Sequence, residues 1–433
     1  MISLVILLIA SLSSIYTGKK FLDRNEDIVS KSASYQKKSL DRNIALHSDD
    51  IGLLLYYVKF NLVNEMPKLA ALNIGSRDLN PSIQGVTIRN LEEQKNNSDF
   101  FNPANAAAGN FDFSFVLIFL FPLVIIAFCY NVISEDQEKG TWKLLSVQSN
   151  NLRKLIDFKL LIRFAAISLL YILLIVTAKF YLDIPLDTPF LIFMLTGLLY
   201  IVFWFALCRW IIGFQKSSSW NALALVILWV SMNFIVPMTG NMVIQQIYPA
   251  KEGLKAQIEQ REGYHNKWDE AKMPTMQKFF KIYPQFSQYR IDENSGYSYT
   301  WYYAMQHLGD VESAESSRQY YFKMQKRNDA AEYLGYLLPN IHTQLSQSSL
   351  AKTGMDNQLD YAKALKKFHE KQRLYFYPYI FSKQNAHIID WTRQTVKTFA
   401  DTGNINPWKI FPPYLILITI LIILSQNKFR KLC

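Results

Sequence analysis

The chain has 433 residues, 50% hydrophobic and 19% charged, with a formal net charge of +11. A charge share below the ~25% typical of soluble domains, concentrated in some windows and nearly absent from others, excludes a wholly soluble protein. The basic surplus accompanies no nucleic-acid-binding motif, so it reads as topology signals beside apolar segments.

Uninterrupted apolar runs of ~17–25 residues suffice to cross ~30 Å of hydrocarbon. In chain order they predict spans at 2–17, 113–133, about 158–182, about 189–212, about 220–244 and 410–425. The first run lacks a basic flank and a small-residue cleavage site, so it reads as an uncleaved anchor rather than a signal peptide. Short connections carrying Lys139, Lys143, Arg153 and Lys154, then Arg209 and Lys216, then Lys428, Arg430 and Lys431, belong in the cytoplasm. The connection 180–188 carries Asp183 and Asp187 and no Lys or Arg, so it belongs outside. Six spans with both termini cytoplasmic satisfy all of these signals.

The fold class expected is therefore an all-α membrane protein with six transmembrane helices and two extracytoplasmic regions, the larger mostly helical. The domain layout follows: span one at 1–17, a first external region at 18–111, spans two to five at 112–245 with a cytoplasmic segment at 134–157, an external domain at 246–408, and the last span and tail at 409–433. The first external region starts as a helix and ends in a Gly/Pro/Asn-rich stretch. In the second, residues 251–272, 311–338 and 355–376 carry helical patterns, with Pro274, Pro284, Pro339 and Pro378 as breakers or stops. The aromatic cluster Tyr297, Tyr299, Trp301, Tyr302 and Tyr303 fits a core or a headgroup-level belt. Cys129 and Cys208 lie in spans and Cys433 ends the chain, so no disulfide holds the external regions.

The segment SEDQEKGTWKLLSVQSNNLRKL, from Ser134 onward, is the most informative. Ser134 followed by Gln137 has capping-box spacing, and Glu135, Asp136 and Glu138 complement a helix N-terminus. Trp142, Leu144 and Leu145 then give a short amphipathic helix an apolar face. A mere connector with topology charges is the plain alternative. Within the spans, Asn221, Ser231 and Asn233 are costly against lipid. Pro122 and Pro237 leave carbonyls without their usual donors. Two readings stand for these five residues: they line or gate a pathway, or they bond helices together. Arg163, Lys179 and Arg209 sit near span ends, where snorkelling is expected.

The run GNFDFSFVLIFLFPLVIIAFCYNVISEDQEKGTWKLLSVQS resembles the second span and coupling segment of bacterial ABC-2 type transporter permeases, through Glu135, Glu138, Gly140, Thr141, Leu144, Leu145 and Ser146. LNIGSRDLNPSIQGVTIR and LSQSSLAKTGMDNQLDYAKALKKFHEKQRLYFYPYIF resemble the external regions of the subgroup with a large domain before its last span. Trp142 stands where the family commonly has a smaller apolar residue, and the family's usual basic amphipathic helix has no counterpart ahead of Met1. The resemblance implies a permease subunit in the bacterial inner membrane, exporting or extracting a substrate. Its expected partners are an ABC ATPase subunit, a second permease copy or paralogue, and membrane lipids, with no nucleic acid. Glu135, Glu138, Gly140, Thr141, Leu144 and Leu145 are the expected coupling contact. Replacing Gly140 with a bulky residue is expected to spare folding and abolish coupled ATPase stimulation. No cofactor is expected on this chain; ATP and Mg belong to the partner.

The chain itself carries no G-x-x-x-x-G-K-[ST] phosphate cradle; Gly18-Lys19-Lys20 is the nearest echo. His369-Glu370 is followed by Arg373 where a second zinc ligand belongs, and no G-x-S-x-G elbow exists. No metal site and no catalytic residue are therefore expected. Two rival functions remain: a membrane-anchored binding or assembly protein whose external domain recruits a partner, and a membrane-embedded hydrolase or transferase.

Overall fold

The computed structural model describes residues 2–95, 110–148, 151–289, 291, 296–403 and 405–430. The Gly/Pro/Asn-rich stretch at 96–109, Lys431 and Cys433 lie outside the described residues. Six helices are long and apolar enough to cross a membrane: Ile2–His47, Phe113–Glu138, Leu152–Tyr181, Thr188–Ile212, Ser218–Ile247 and Pro407–Phe429. They match the six predicted spans in order, and the protein is an all-α membrane protein. Their shared core runs from Leu7 and Ile15 on the first span through Phe121, Tyr171, Tyr200, Trp204 and Tyr414.

The first helix does not stop at the membrane edge. It runs unbroken to His47, so Gly18-Lys19-Lys20 lies inside a helix and forms no phosphate loop. A Cβ on Gly18 would collide with the backbone carbonyl of Ala71, so glycine there lets the helix touch the loop that follows it.

The sequence separates the two long polar regions by four spans, yet they fold together. A three-stranded sheet pairs β1 (Phe60–Asn64) antiparallel with β2 (Ile83–Val86) and parallel with β3 (Lys397–Phe399). Strand β3 comes from just before the last span, so the sheet closes the chain on itself. Helices α1 (Ile51–Tyr57), α2 (Glu252–Asp269), α3 (Lys272–Ile282), α4 (Tyr299–Glu312), α5 (Ala314–Leu337), α6 (Pro339–Leu350) and α7 (Met355–Phe381) complete this unit. Its core joins Leu40, Leu54 and Phe60 from the first region to Phe279, Tyr303 and Phe376 from the second.

Several boundaries differ from the periodic reading. The stretch expected as one helix at 311–338 is broken at Ser313, where α4 ends and α5 begins. Pro378 lies inside α7 rather than past its end. It sits in the final turn, where few further hydrogen bonds remain to be lost. Pro339 both stops α5 and opens α6, its fixed φ and absent N–H suiting a first helical position. The aromatic cluster takes the core reading: Trp301, Tyr302 and Tyr303 are buried, while Tyr297 stays half-exposed.

Buried polar groups hold this unit together. Arg373 donates to the Ile88 carbonyl at 3.1 Å, to the Arg89 carbonyl at 2.6 Å and to the Asp310 carboxylate at 2.5 Å. Asp310 also accepts the backbone N–H groups of Leu91 and Glu92. His369 bonds the Thr87 carbonyl at 2.9 Å and His307 the Tyr377 hydroxyl at 3.0 Å. These histidines are core hydrogen-bonders. Burial, reinforced by the Arg373 charge, pushes the His307 pKa down to about 2 and the His369 pKa well below its usual value.

Candidate coupling site

At the bundle end opposite the folded unit, the second span turns and breaks into two short helices, Ser134–Glu138 and Trp142–Gln148. Gly140 makes the corner with φ +76°, a left-handed conformation that glycine adopts without the penalty a Cβ imposes. A Cβ there would meet nothing within 4 Å, so the corner is fixed by backbone geometry and not by crowding.

The acids predicted for this segment do two different things. Glu135 stays local, accepting from Lys139 at 2.6 Å and from the Asn131 amide at 2.8 Å. Glu138 reaches across to the first turn of the fifth span. Its carboxylate accepts the Ser218 N–H at 2.7 Å and the Ser218 hydroxyl at 2.9 Å. A carboxylate there also complements the positive end of the helix dipole. Ser134 adds a contact to the Ser218 hydroxyl at 2.7 Å. Asp136 pairs with Lys159 of the third span at 2.6 Å, and the Thr141 hydroxyl turns back to the Asp136 carbonyl at 3.2 Å. The segment is thus fastened to spans three and five as well as to its own span two.

Its outer helix is open. No residue of Trp142–Gln148 is buried. Leu144 is 59% and Val147 85% exposed, Leu145 is half-buried, and Ser146 turns its hydroxyl to the Lys143 carbonyl. Trp142 instead leans on the bundle core.

Four of the five polar and proline positions inside spans two and five, all but Asn221, belong to one device. In each span a π-helical turn is followed at once by a proline: Val116–Leu120 before Pro122, and Ser231–Ile235 before Pro237. In the wide turns the Phe121 N–H bonds Val116 and the Val236 N–H bonds Ser231, so the carbonyls one position on lose their usual donors. Pro122 has no N–H to give Ile118. Neighbours supply the missing donors. The Tyr200 hydroxyl of span four donates to the Ile118 carbonyl at 2.9 Å; next to it the Trp229 indole N–H of span five donates to the Phe119 carbonyl at 3.1 Å, an added bond between the two spans. The Asn340 amide of α6 bonds the Met232 carbonyl. Asn221 bonds the Tyr130 carbonyl at the end of span two at 3.0 Å, and Asn233 bonds Trp229 within its own span. Side-chain bonds between elements therefore account for Asn221, while Asn233 lies beside Asn340.

Sequence reasoning missed α6. PNIHTQLSQSSL is too polar for a span, yet eight of its side chains are buried at the end of the bundle on the domain side. It packs along span four and bonds spans two and six: Gln347 accepts the Ser114 hydroxyl at 2.8 Å, His342 bonds the Ile410 carbonyl at 2.7 Å, and Thr343 bonds the Tyr414 hydroxyl at 2.6 Å. The available signal was Pro339 followed by regularly spaced small polar residues, which suits close packing against other helices. Arg209 also departs from expectation. Instead of snorkelling it pairs with Asp157 at 2.9 Å and bonds Ser425, joining spans three, four and six.

A family model for ABC-2 family transporter proteins matches residues 5–306. A second, a domain of unknown function (DUF3526), matches residues 253–399 and so covers most of the polar region between spans five and six. No curated protein and no solved structure matches significantly. With more than two thirds of its length matched, the chain belongs to the ABC-2 transporter family and is a multi-pass membrane permease component of an ABC transporter.

Proposed function

We propose that this permease exports or extracts its substrate with ATP hydrolysed on a separate subunit that docks on the segment Glu135–Ser146. One observation carries the reading: a small, open, partly apolar helix hangs on a glycine corner, and the short helix before that corner, at the end of span two, is fastened to spans three and five. Leu144, Leu145, Thr141 and Glu135 form the docking face, Gly140 sets its angle, and Glu138 passes its displacement to span five. ATP and Mg belong to the partner. The permease works as a dimer with a second copy or a paralogue in the bacterial cytoplasmic membrane, with both termini and the docking face in the cytoplasm. The exposed apolar face of span five, including Leu223, Ile227, Phe234 and Met238, supports contact with lipid or that second permease.

Spans two and five line the pathway, with Pro122, Asn221, Ser231, Asn233 and Pro237 at the points where each can change register. A π-turn that relaxes to α geometry shifts the helix beyond it by one residue, about 100° of rotation. Such discrete rearrangements suit a switch between inward and outward states. Purification of the tagged chain from its native cells, followed by mass spectrometry and an ATPase assay, tests the proposal. A co-purifying subunit with a phosphate-binding loop, whose activity falls on altering Glu138 and Gly140, is the expected result. A chain isolated with external partners alone and no ATPase activity would return the function to the binding or assembly class.

A further inference from the structure

Span five is longer than a bilayer is thick. Ser218–Ile247 has 30 residues, about 45 Å of helix against ~30 Å of hydrocarbon. Its first turn is held beside Glu138, so the excess falls at the other end. There the helix lies against the folded unit. A Cβ on Gly240 would collide with Leu334 of α5, and Arg327 and Lys323 of α5 donate to the Tyr248 and Pro249 carbonyls at 2.8 and 2.9 Å. Cationic side chains at that level place it beyond the hydrocarbon.

The open face of this helix does not change character at that boundary. Phe234, Met238, Met242 and Ile247 follow one another along it, with Met238 67% and Ile247 61% exposed. Such a surface is ordinary where lipid covers it and costly where lipid ends. Span two supplies a second apolar track from the same end. The rings of Phe111, Phe115 and Phe119 form a ladder with centroids 5.7 and 4.7 Å apart, and Phe119 meets Phe234 at 5.8 Å.

The chemistry of both tracks is one-sided. No Asp, Glu, Lys or Arg occurs from 113 to 134 or from 217 to 250. Polar side chains there are spent on backbone: Asn221 donates to the Tyr130 carbonyl, Trp229 to Phe119, Asn233 to Trp229 and Thr239 to Ile235. An ion or a sugar passing the phenylalanine ladder would lose hydration without a compensating bond. A hydrocarbon chain loses nothing.

We propose that the cargo of this permease is an amphiphile whose hydrocarbon chain leaves the bilayer along the phenylalanine ladder and the stripe Phe234, Met238, Met242 and Ile247, toward the folded unit. The inference rests on spans two and five lining the pathway and adds the substrate class. Asn241 and Gln245, exposed near the end of the stripe, offer amides to the headgroup that accompanies the chain.

The test places p-benzoylphenylalanine, which inserts into C–H bonds on illumination, at one position of the full chain at a time. The chain sits in vesicles of phosphatidylethanolamine and phosphatidylglycerol with tritiated palmitoyl chains. At Ile227, within the bilayer, label reports the inserted, folded chain. At Ile247 label is expected at least fivefold above that at Tyr35, an equally exposed position on the first helix beyond the bilayer. Met242→Asp, at an exposed position nearer the bilayer, should cut the Ile247 label at least tenfold and leave the Ile227 label unchanged. Label at Ile227 with only the Tyr35 background at Ile247 overturns the proposal, as does Ile247 label that Met242→Asp leaves intact. Crosslinking of Ile247 to a second copy, seen as an unlabelled band of twice the mass, also overturns it and assigns the stripe to the dimer. No ATP is needed, so failure here leaves the coupling reading standing. Absence of an ATPase partner on purification would sink that reading without touching the label.

Discussion

Replacing Glu138 with alanine separates two ways in which that carboxylate can serve coupling. In the structure it holds the start of span five through two bonds to Ser218, at 2.7 and 2.9 Å. Hydrogen bonds to a charged group are worth about 1.5–3 kcal/mol each, but exposure to solvent reduces these to about 1 kcal/mol apiece. At about 1.4 kcal/mol per tenfold, the loss of both bonds, about 2 kcal/mol, should lower permease-stimulated ATPase activity in Glu138→Ala about thirtyfold. Ser218→Ala keeps the backbone bond and removes only the hydroxyl, for an expected drop of about fivefold. The double variant should be no worse than Glu138→Ala, giving an interaction energy of about 1 kcal/mol in the cycle. The assay is the ratio of stimulated to basal ATPase rate in the reconstituted complex. Full stimulation in Ser218→Ala, or losses that multiply in the double variant, would refute the tie and make Glu138 a direct ATPase contact.

Three other perturbations are expected to act as follows. Gly140→Ala places a Cβ on a left-handed residue in open space, costing about 1–2 kcal/mol locally; the thermal midpoint of the full chain should hardly move while ATPase stimulation falls sharply. Arg373→Ala leaves the buried Asp310 carboxylate unpaired and should destabilise the folded unit by about 3–5 kcal/mol in denaturant unfolding. The two buried histidines should also destabilise the unit in acid. His307 and His369 have folded pKa values below the unfolded ~6.5, so the unfolded chain binds their protons first and their contribution to stability falls as pH drops below ~6.5. The carboxyls of Asp310, Glu332 and Asp356, whose pKa values burial raises, work oppositely as the pH falls, so the histidine contribution is read by variants that remove it. Thermal unfolding between pH 7.5 and 5.5 checks this, and His307→Leu should remove about half of the histidine contribution.

What the sequence made legible followed from composition along the chain. Six apolar runs and the Lys/Arg pattern around them require little more than the cost of burying charge in hydrocarbon. The connector at 134–157 was legible in part: its helical character was expected, but Gly140 breaks it into two helices and Ser134 forms no capping box, its hydroxyl meeting Ser218 instead. What stayed hidden depends on pairings distant in sequence. Ser218 reads as an ordinary helix start until Glu138 is placed on it. The strand Lys397–Phe399 is three residues long and gains its meaning from β1, more than 300 positions earlier. Helix α6 is the clearest case. Its polarity argues for solvent, and the bonding groups that bury it, the Met232 and Ile410 carbonyls and the Tyr414 hydroxyl, lie on two other spans.

The paired π-turns give those hidden contacts a common logic. A carbonyl released by a π-turn and a following proline would be costly in an apolar bundle unless a neighbour supplies a donor. At span two the donor to Ile118 comes from span four; at span five the donor to Met232 comes from α6. Each irregular turn is therefore stable only in register with another element. In the proposed mechanism, movement of span five, begun where Glu138 holds Ser218, must break or carry the Trp229 bond to span two and the Asn340 bond to α6. The same carbonyls that loosen the helices thus connect the docking end of the bundle to the folded unit at its other end. A permease whose two ends must change together needs such a connection, and an anchor that merely displayed a domain would have no use for it.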